Sequence, residues 1–107
     1  MGVSKTEGFT EEQNEIANLF KAMSHPARIA IIQYLLSVDS CICGDIVNVL
    51  PLAQPTVSQH LKELKNANII KGTIEGTAIC YCLNEATIAI IEKHFKGISN
   101  QLQNKCC

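Results

Sequence analysis

No stretch of the sequence approaches the roughly 18 to 20 consecutive apolar residues that a membrane-spanning helix needs. The opening residues, Met-Gly-Val-Ser-Lys-Thr-Glu-Gly, have no apolar h-region of the kind a secretory signal carries, so a cytoplasmic protein without membrane contact is expected. Enzymatic signatures are also missing. There is no glycine-rich phosphate loop, no Ser/His/Asp arrangement at recognisable spacing and no His-x-x-x-His, so neither catalysis nor an organic cofactor is expected. Cys-x-x-Cys at the head of a helix, which a thiol oxidoreductase would want, is absent too. Charge of one sign is scarce: 9 Lys+Arg against 10 Asp+Glu give a formal charge of −1. That balance argues against a non-specific coat on nucleic acid, but allows a DNA-binding protein whose cations are gathered on one face. Internal repeats and low-complexity segments are lacking as well.

What is present is 107 residues, 47% hydrophobic and 18% charged, the composition of one globular domain with a core modest enough that dimerisation is expected. The most informative stretch runs from Leu52 to Leu64. Pro55 suits the first turn of a helix, where its missing N–H has no intrahelical partner to lose, and Val57, Leu61 and Leu64 recur at offsets of four and three. The rest of that surface holds Gln54, Thr56, Ser58, Gln59, Lys62 and Lys65. Short hydrogen-bonding groups beside two cations suit a helix that enters a major groove, with Gln54, Thr56, Ser58 and Gln59 on base edges and the lysines on phosphate. His60 lies near the apolar side, and a DNA contact and a packed neutral ring are both open for it.

The other elements follow in order. Thr10 caps a first helix from about Glu11 to Ala22 that buries Ile16, Leu19, Phe20 and Met23. Ser24-His25-Pro26 stops it and starts a second helix, Pro26 to Leu36, apolar around much of its circumference through Ile29, Ile31, Ile32, Leu35 and Leu36. For His25 and Arg28, capping and phosphate contact are both open. A short strand is expected over Val38 to Cys43, then a helix from Asp45 to about Leu50 and a turn at Pro51-Leu52-Ala53 into the recognition helix. Ile69 to Ile74 and Ala78 to Leu83, joined by Glu75-Gly76-Thr77, read as a hairpin in which Lys71 is the only cation. The last helix, Asn84 to about Asn104, carries Ile88, Ile91, Phe95, Ile98 and Leu102 at intervals of three and four, a seam longer than this core needs to cover. A second copy of the chain is the economical partner for it.

This order of elements is that of a winged helix-turn-helix: mainly α with a small β-hairpin, as one domain over 1–107. Its parts are an arm (1–9), the helix-turn-helix (44–67), the wing (69–83) and a C-terminal dimerisation helix (85–104). Phe20-Lys21-Ala22-Met23-Ser24-His25-Pro26-Ala27-Arg28 and Gln54-Pro55-Thr56-Val57-Ser58-Gln59-His60-Leu61 resemble the helix junction and recognition helix of the ArsR/SmtB family of bacterial metal-responsive repressors. The resemblance covers roughly residues 15 to 95. It implies a homodimer, paired through its first and last helices, that holds double-stranded operator DNA and represses an operon until an inducer binds.

Six cysteines are many for a chain of this length, and in a reducing cytosol they are expected to be thiolates. Cys41 and Cys43 flank Ile42, Cys80 and Cys82 flank Tyr81, and Cys106 with Cys107 closes the sequence. Ser40-Cys41-Ile42-Cys43-Gly44-Asp45 is similar to the Cys-x-Cys of the family's arsenic sensors, although Gly44 stands where their second cysteine is usual. The family's zinc sensors use paired ligands on the last helix, of which only His94 with Glu92 is present. In this fold the short strand commonly pairs with the return strand of the wing. Side chains alternate along strands, so Cys41, Cys43, Cys80 and Cys82 would share one face, with opposed Cβ atoms roughly 4.5 to 5.5 Å apart. Sulfur-only ligation selects a thiophilic ion: arsenite or antimonite, or else cadmium, lead or zinc. The resemblance favours trivalent arsenic or antimony as inducer, held by Cys41 and Cys43 first and Cys80 or Cys82 next; Cys106 and Cys107 are further candidates on the terminus. Two other readings stay open, small buried thiols and a disulfide-forming redox switch.

Overall fold

Thr10 starts helix α1 (Glu11–Met23) by accepting a hydrogen bond from the Gln13 amide at 3.0 Å, while the Gln13 side chain accepts from the Thr10 amide at 3.0 Å. This reciprocal box satisfies two of the donors a helix start leaves orphaned. Glu11 and Glu12 in the first turn and Lys21 in the last suit the helix dipole. The structure is a computed structural model that describes residues 8–38, 42–43, 46, 50–75 and 78–105. Helix α2 (Pro26–Leu36) begins at His25, whose Nδ1 accepts from the Ala27 amide at 3.0 Å. Its Ile31, Ile32 and Leu35 are buried, but Ile29 and Leu36 stay exposed, so its packing is narrower than its composition suggests.

Of the expected strand over Val38 to Cys43, Ile42–Cys43 is found as β1, Val38 lies in a bend, and 39–41 fall outside the described residues. The expected helix from Asp45 to Leu50 also falls mostly outside them; within that stretch Ile46 is buried. Helix α3 (Gln54–Asn66) carries Pro55 in its first turn and buries Val57, His60, Leu61 and Leu64. At its end Asn68 takes a left-handed conformation, φ 63°. The Asn68 amide donates to the Lys65 carbonyl at 2.9 Å and the Ile69 amide to the Leu64 carbonyl at 3.0 Å. This is the Schellman arrangement, and the apolar contact it usually brings is supplied by Leu64 and Ile69, both fully buried.

That termination shifts the wing. Strand β2 spans Ile70–Glu75, one residue later than expected, because the Ile69 amide is spent on α3 and its carbonyl accepts from the Asn84 amide at 2.9 Å. Strand β3 (Ala78–Leu83) pairs antiparallel with β2 from Ile70↔Leu83 to Glu75↔Ala78, and with β1 through Ile42↔Tyr81 and Cys43↔Cys80. The sheet order is therefore β1-β3-β2. Helix α4 (Glu85–Gln103), capped by Asn84, buries only Thr87 fully, and Ile91 packs partly on the core. No described helix is long and apolar enough to cross a membrane.

The core lies where α1, α2 and α3 meet the base of the sheet: Ile16, Leu19, Ile31, Leu35, Val57, Leu61, Leu64, Ile69 and Ile70 form it. Burial of this kind stabilises by roughly 1.5 to 3 kcal/mol per large aliphatic side chain. It fixes which face of α3 turns inward and, by the 3.6-residue period, which face is left outside.

Candidate nucleic-acid interface

The outward face of α3 holds Gln54, Thr56, Ser58, Gln59, Lys62 and Lys65, all exposed. Four of the six are neutral hydrogen-bonding groups, grouped toward the N-terminal half of the helix, and the two ammonium groups lie toward its C-terminal end. The Gln59 amide donates from Nε2 to Glu63 Oε2 at 3.0 Å, which orients it along the helix. Lys65 lies over the wing: a methyl group built on Gly72 would meet its Cε and Nζ at 3.5 Å and Ile79 Cγ2 at 3.4 Å. These are ordinary van der Waals distances, so the Lys65 stem rests beside β2 at Gly72 without a close approach that only glycine allows.

His60 belongs to the same helix but points the other way. It is 8% exposed, and its Nδ1 accepts a hydrogen bond of 3.0 Å from Nε of Arg28 on α2. The imidazole of His25 lies against it with ring centroids 4.3 Å apart. Of the two readings open for His60 in the sequence, the packed ring is the one found. Burial first, then the nearby His25 and Arg28, hold its pKa below the ordinary 6.5. Arg28 also donates from Nη1 to the Ala22 carbonyl at 3.0 Å, one of the carbonyls that the end of α1 leaves without an intrahelical donor. One guanidinium therefore ties α1, α2 and α3 together. The partners are 32 residues apart, and no local pattern in the sequence announces the bond.

Among the described residues, Cys43, Cys80 and Cys82 stand on the sheet beside this helix. Cys43 pairs in register with Cys80, and Cys82 stands opposite Lys71 on β2. Cys80 is 1% exposed and Cys82 half-buried, and both are disulfide-bonded. Tyr81 and Leu83, alternate with them, pack against the core as the two-residue period of a strand requires. Cys41, Cys106 and Cys107 lie outside the described residues. Among the described residues, no three His, Cys, Asp or Glu side chains converge into a metal site. Glu92 turns to Lys96 at 3.7 Å, and His94 packs edge-on against Phe20 and Phe95 at 5.8 and 5.9 Å, so the described partners of this pair are not each other.

Beyond Ile91, α4 exposes Phe95, Ile98 and Leu102. Phe95 stacks on Phe20 of α1 at 5.5 Å, so the apolar strip of α4 continues onto the first helix.

Comparison with known proteins agrees with this geometry. The profile described as "Bacterial regulatory protein, arsR family" matches residues 25–71. The chain is 36% identical over 84 residues to the cadmium resistance transcriptional regulatory protein CadC homolog of Staphylococcus aureus, spanning 76% of this chain and 68% of that protein. It is 27% identical over 93 residues to the arsenical resistance operon repressor of Staphylococcus xylosus, spanning 87% and 88%. Among solved structures, the transcriptional repressor BigR from Xylella fastidiosa matches with a TM-score of 0.63 at 29% identity, covering 92% of this chain and 96% of that one.

Proposed function

Because the chain belongs to the ArsR/SmtB family of winged-helix transcriptional repressors, we propose that it is a sensor of a thiophilic metal or metalloid that leaves its operator when cysteine thiolates capture the ion. The single observation that carries this reading is the register of Cys43 with Cys80 across β1 and β3. Cys82 lies two residues beyond Cys80 on β3, and Cys41 two residues before Cys43 in the sequence, so by strand alternation four sulfurs distant in sequence would share one patch of sheet. Once the disulfide bonds at Cys80 and Cys82 are reduced, trivalent arsenic or antimony would take three of these sulfurs, Cys41 and Cys43 with Cys80 or Cys82; cadmium, lead or zinc would take three or four. Cys106 and Cys107 are reserve ligands. Relatives named for arsenical and for cadmium resistance support a soft ion as the inducer.

The DNA-reading part is the exposed face of α3. Gln54, Thr56, Ser58 and Gln59 address base edges in the major groove, and Lys62 and Lys65 address phosphates. His60 is left out of this set because its ring is buried. The exposed strip of Phe95, Ile98 and Leu102, continuous with Phe20, pairs the last and first helices with those of a second copy. Two recognition helices then meet major grooves about 34 to 36 Å apart on a pseudo-palindrome. In the reduced chain the thiolates would sit on the strand that leads toward α3 and on the wing, so drawing them together would reorient both parts against DNA. A coupling of about 1 to 3 kcal/mol, 5- to 150-fold in affinity, is sufficient for regulation.

A second reading is favoured by one observation: Cys80 and Cys82 are disulfide-bonded. A hydroperoxide would oxidise two thiols to one disulfide, itself reduced to an alcohol and water, and the closed sheet would be the signal. Titrating the reduced chain with arsenite and with cadmium, while following thiolate charge-transfer absorbance and DNA-binding anisotropy together, separates the two. Absorbance and DNA release in step support the ion sensor. Release on peroxide alone supports the redox switch, and absorbance without release denies the regulatory link.

A further inference from the structure

Arg28 sits at the helix junction close to the proposed DNA-reading helix, and a basic residue there invites assignment as a phosphate contact. We infer instead that Arg28 is a positioning residue: it sets the attitude of α3 on the core by donating to the buried His60 ring, and does not bind DNA itself. The inference rests on the reading of α3 as the DNA-reading helix, and goes beyond it by assigning what holds that helix in place.

Three observations carry it. First, Nε and Nη1 of the guanidinium are both committed inside the protein, to His60 Nδ1 and to the Ala22 carbonyl, each at 3.0 Å and in part-buried surroundings. A planar fork with fixed donor directions registers two acceptors on different helices, which a lysine ammonium at the end of a flexible stem does not. Second, the cleft that Arg28 itself lines, together with Lys21, Ser24 and His25, is lined also by the acidic Glu63. A negative charge there opposes a phosphate. Third, the ring that Arg28 grips belongs to the residue directly after Gln59 and one turn beyond Thr56. A helix is rigid over such a distance, so rotation of His60 away from Arg28 carries the exposed polar face with it. His25 completes the seat from the other side: its Nδ1 caps α2, which fixes its ring against that of His60.

The test uses the full-length chain and a duplex that the wild-type chain itself selects from a random pool, with affinity measured by anisotropy over a series of salt concentrations. Arg28→Lys keeps the charge but loses the fork; Arg28→Gln loses the charge. A lost phosphate contact would lower the log–log salt slope by about one. The expected result is a fall in affinity of about tenfold or more for both variants, the loss of a charge-assisted bond, with the slope unchanged. His60→Asn, whose amide oxygen can replace Nδ1 as acceptor, should keep most of the affinity, whereas His60→Leu should lose as much as Arg28→Lys. If Arg28 variants fail to fold by circular dichroism, the contrast between the two His60 variants decides. Wild-type affinity in Arg28→Lys, a reduced slope in Arg28→Gln, or equal affinities in the two His60 variants would overturn the assignment. A wild-type chain that selects no duplex would remove both this inference and the reading it rests on.

Discussion

Arg28 and His60 meet through one hydrogen bond of 3.0 Å, donated by Nε and accepted by Nδ1, across 32 residues of sequence. The bond exists only while Nδ1 is unprotonated. Burial, His25 and Arg28 push the pKa of His60 below 6.5, so the unfolded chain takes up this proton at a higher pH than the folded one. The stability linked to His60 is therefore fully present above the ordinary value and is lost as pH falls from there through the lowered folded pKa. Urea unfolding at pH 7.5 and pH 5.5 should show a larger loss at the lower pH for the wild type than for His60→Asn. Equal losses would mean that the ring does not titrate differently on folding.

The left-handed Asn68 ends α3 and sets where the wing begins. Asn68→Gly should leave the unfolding midpoint unchanged or raised. Asn68→Val should cost about 1 to 2 kcal/mol, the penalty of placing a branched side chain in this conformation. Thermal or urea melts measure both, and a destabilised glycine variant would show that the Asn68 side chain matters more than its backbone.

Lys62 and Ser58 share the exposed face of α3 and should fail in different ways. Lys62→Gln should weaken binding to all duplexes alike and reduce the salt slope by about one. Ser58→Ala should leave the slope intact and relax preference at one base position, by about 1 to 3 kcal/mol at most. Binding to a panel of single-base operator variants at two salt concentrations distinguishes them.

Phe95 and Leu102 are 54% and 63% exposed, far more than apolar side chains of their size require in a free-standing helix of this core. Phe95→Glu should shift sedimentation velocity from dimer toward monomer and weaken operator binding, since half-sites are then engaged one at a time. A wild-type chain that sediments as a monomer at micromolar concentration would contradict the paired arrangement.

Punctuation made much of the fold legible in the sequence. His25-Pro26 marked the start of α2, and the alternation around Tyr81 marked β3, both found at the expected residues. The start of β2 was misplaced by one because the Schellman ending of α3 uses the Ile69 amide, a bond invisible to periodicity. Exposed polar positions of α3 were legible because Val57, Leu61 and Leu64 define the opposite face. The role of His60 was not, since its partner is set by tertiary packing of α2 on α3. That β1 pairs with β3 was expected from the order of elements, but the register that sets Cys43 against Cys80 was not, because strand alternation assigns faces and leaves register open. That both Cys80 and Cys82 are disulfide-bonded did not follow from strand alternation, because the same spacing serves a thiolate and a disulfide equally well.

The central claim is that sulfur capture on the sheet loosens the hold of α3 on DNA, and one comparison reaches it most directly. Reduced wild-type chain and Cys43→Ser, each bound to the same fluorescent operator duplex, are titrated with arsenite while anisotropy is followed. The account predicts equal starting affinity, release of the duplex by the wild type at arsenite concentrations near that of the protein, and no release by the variant. Release of both at the same arsenite concentration would contradict it.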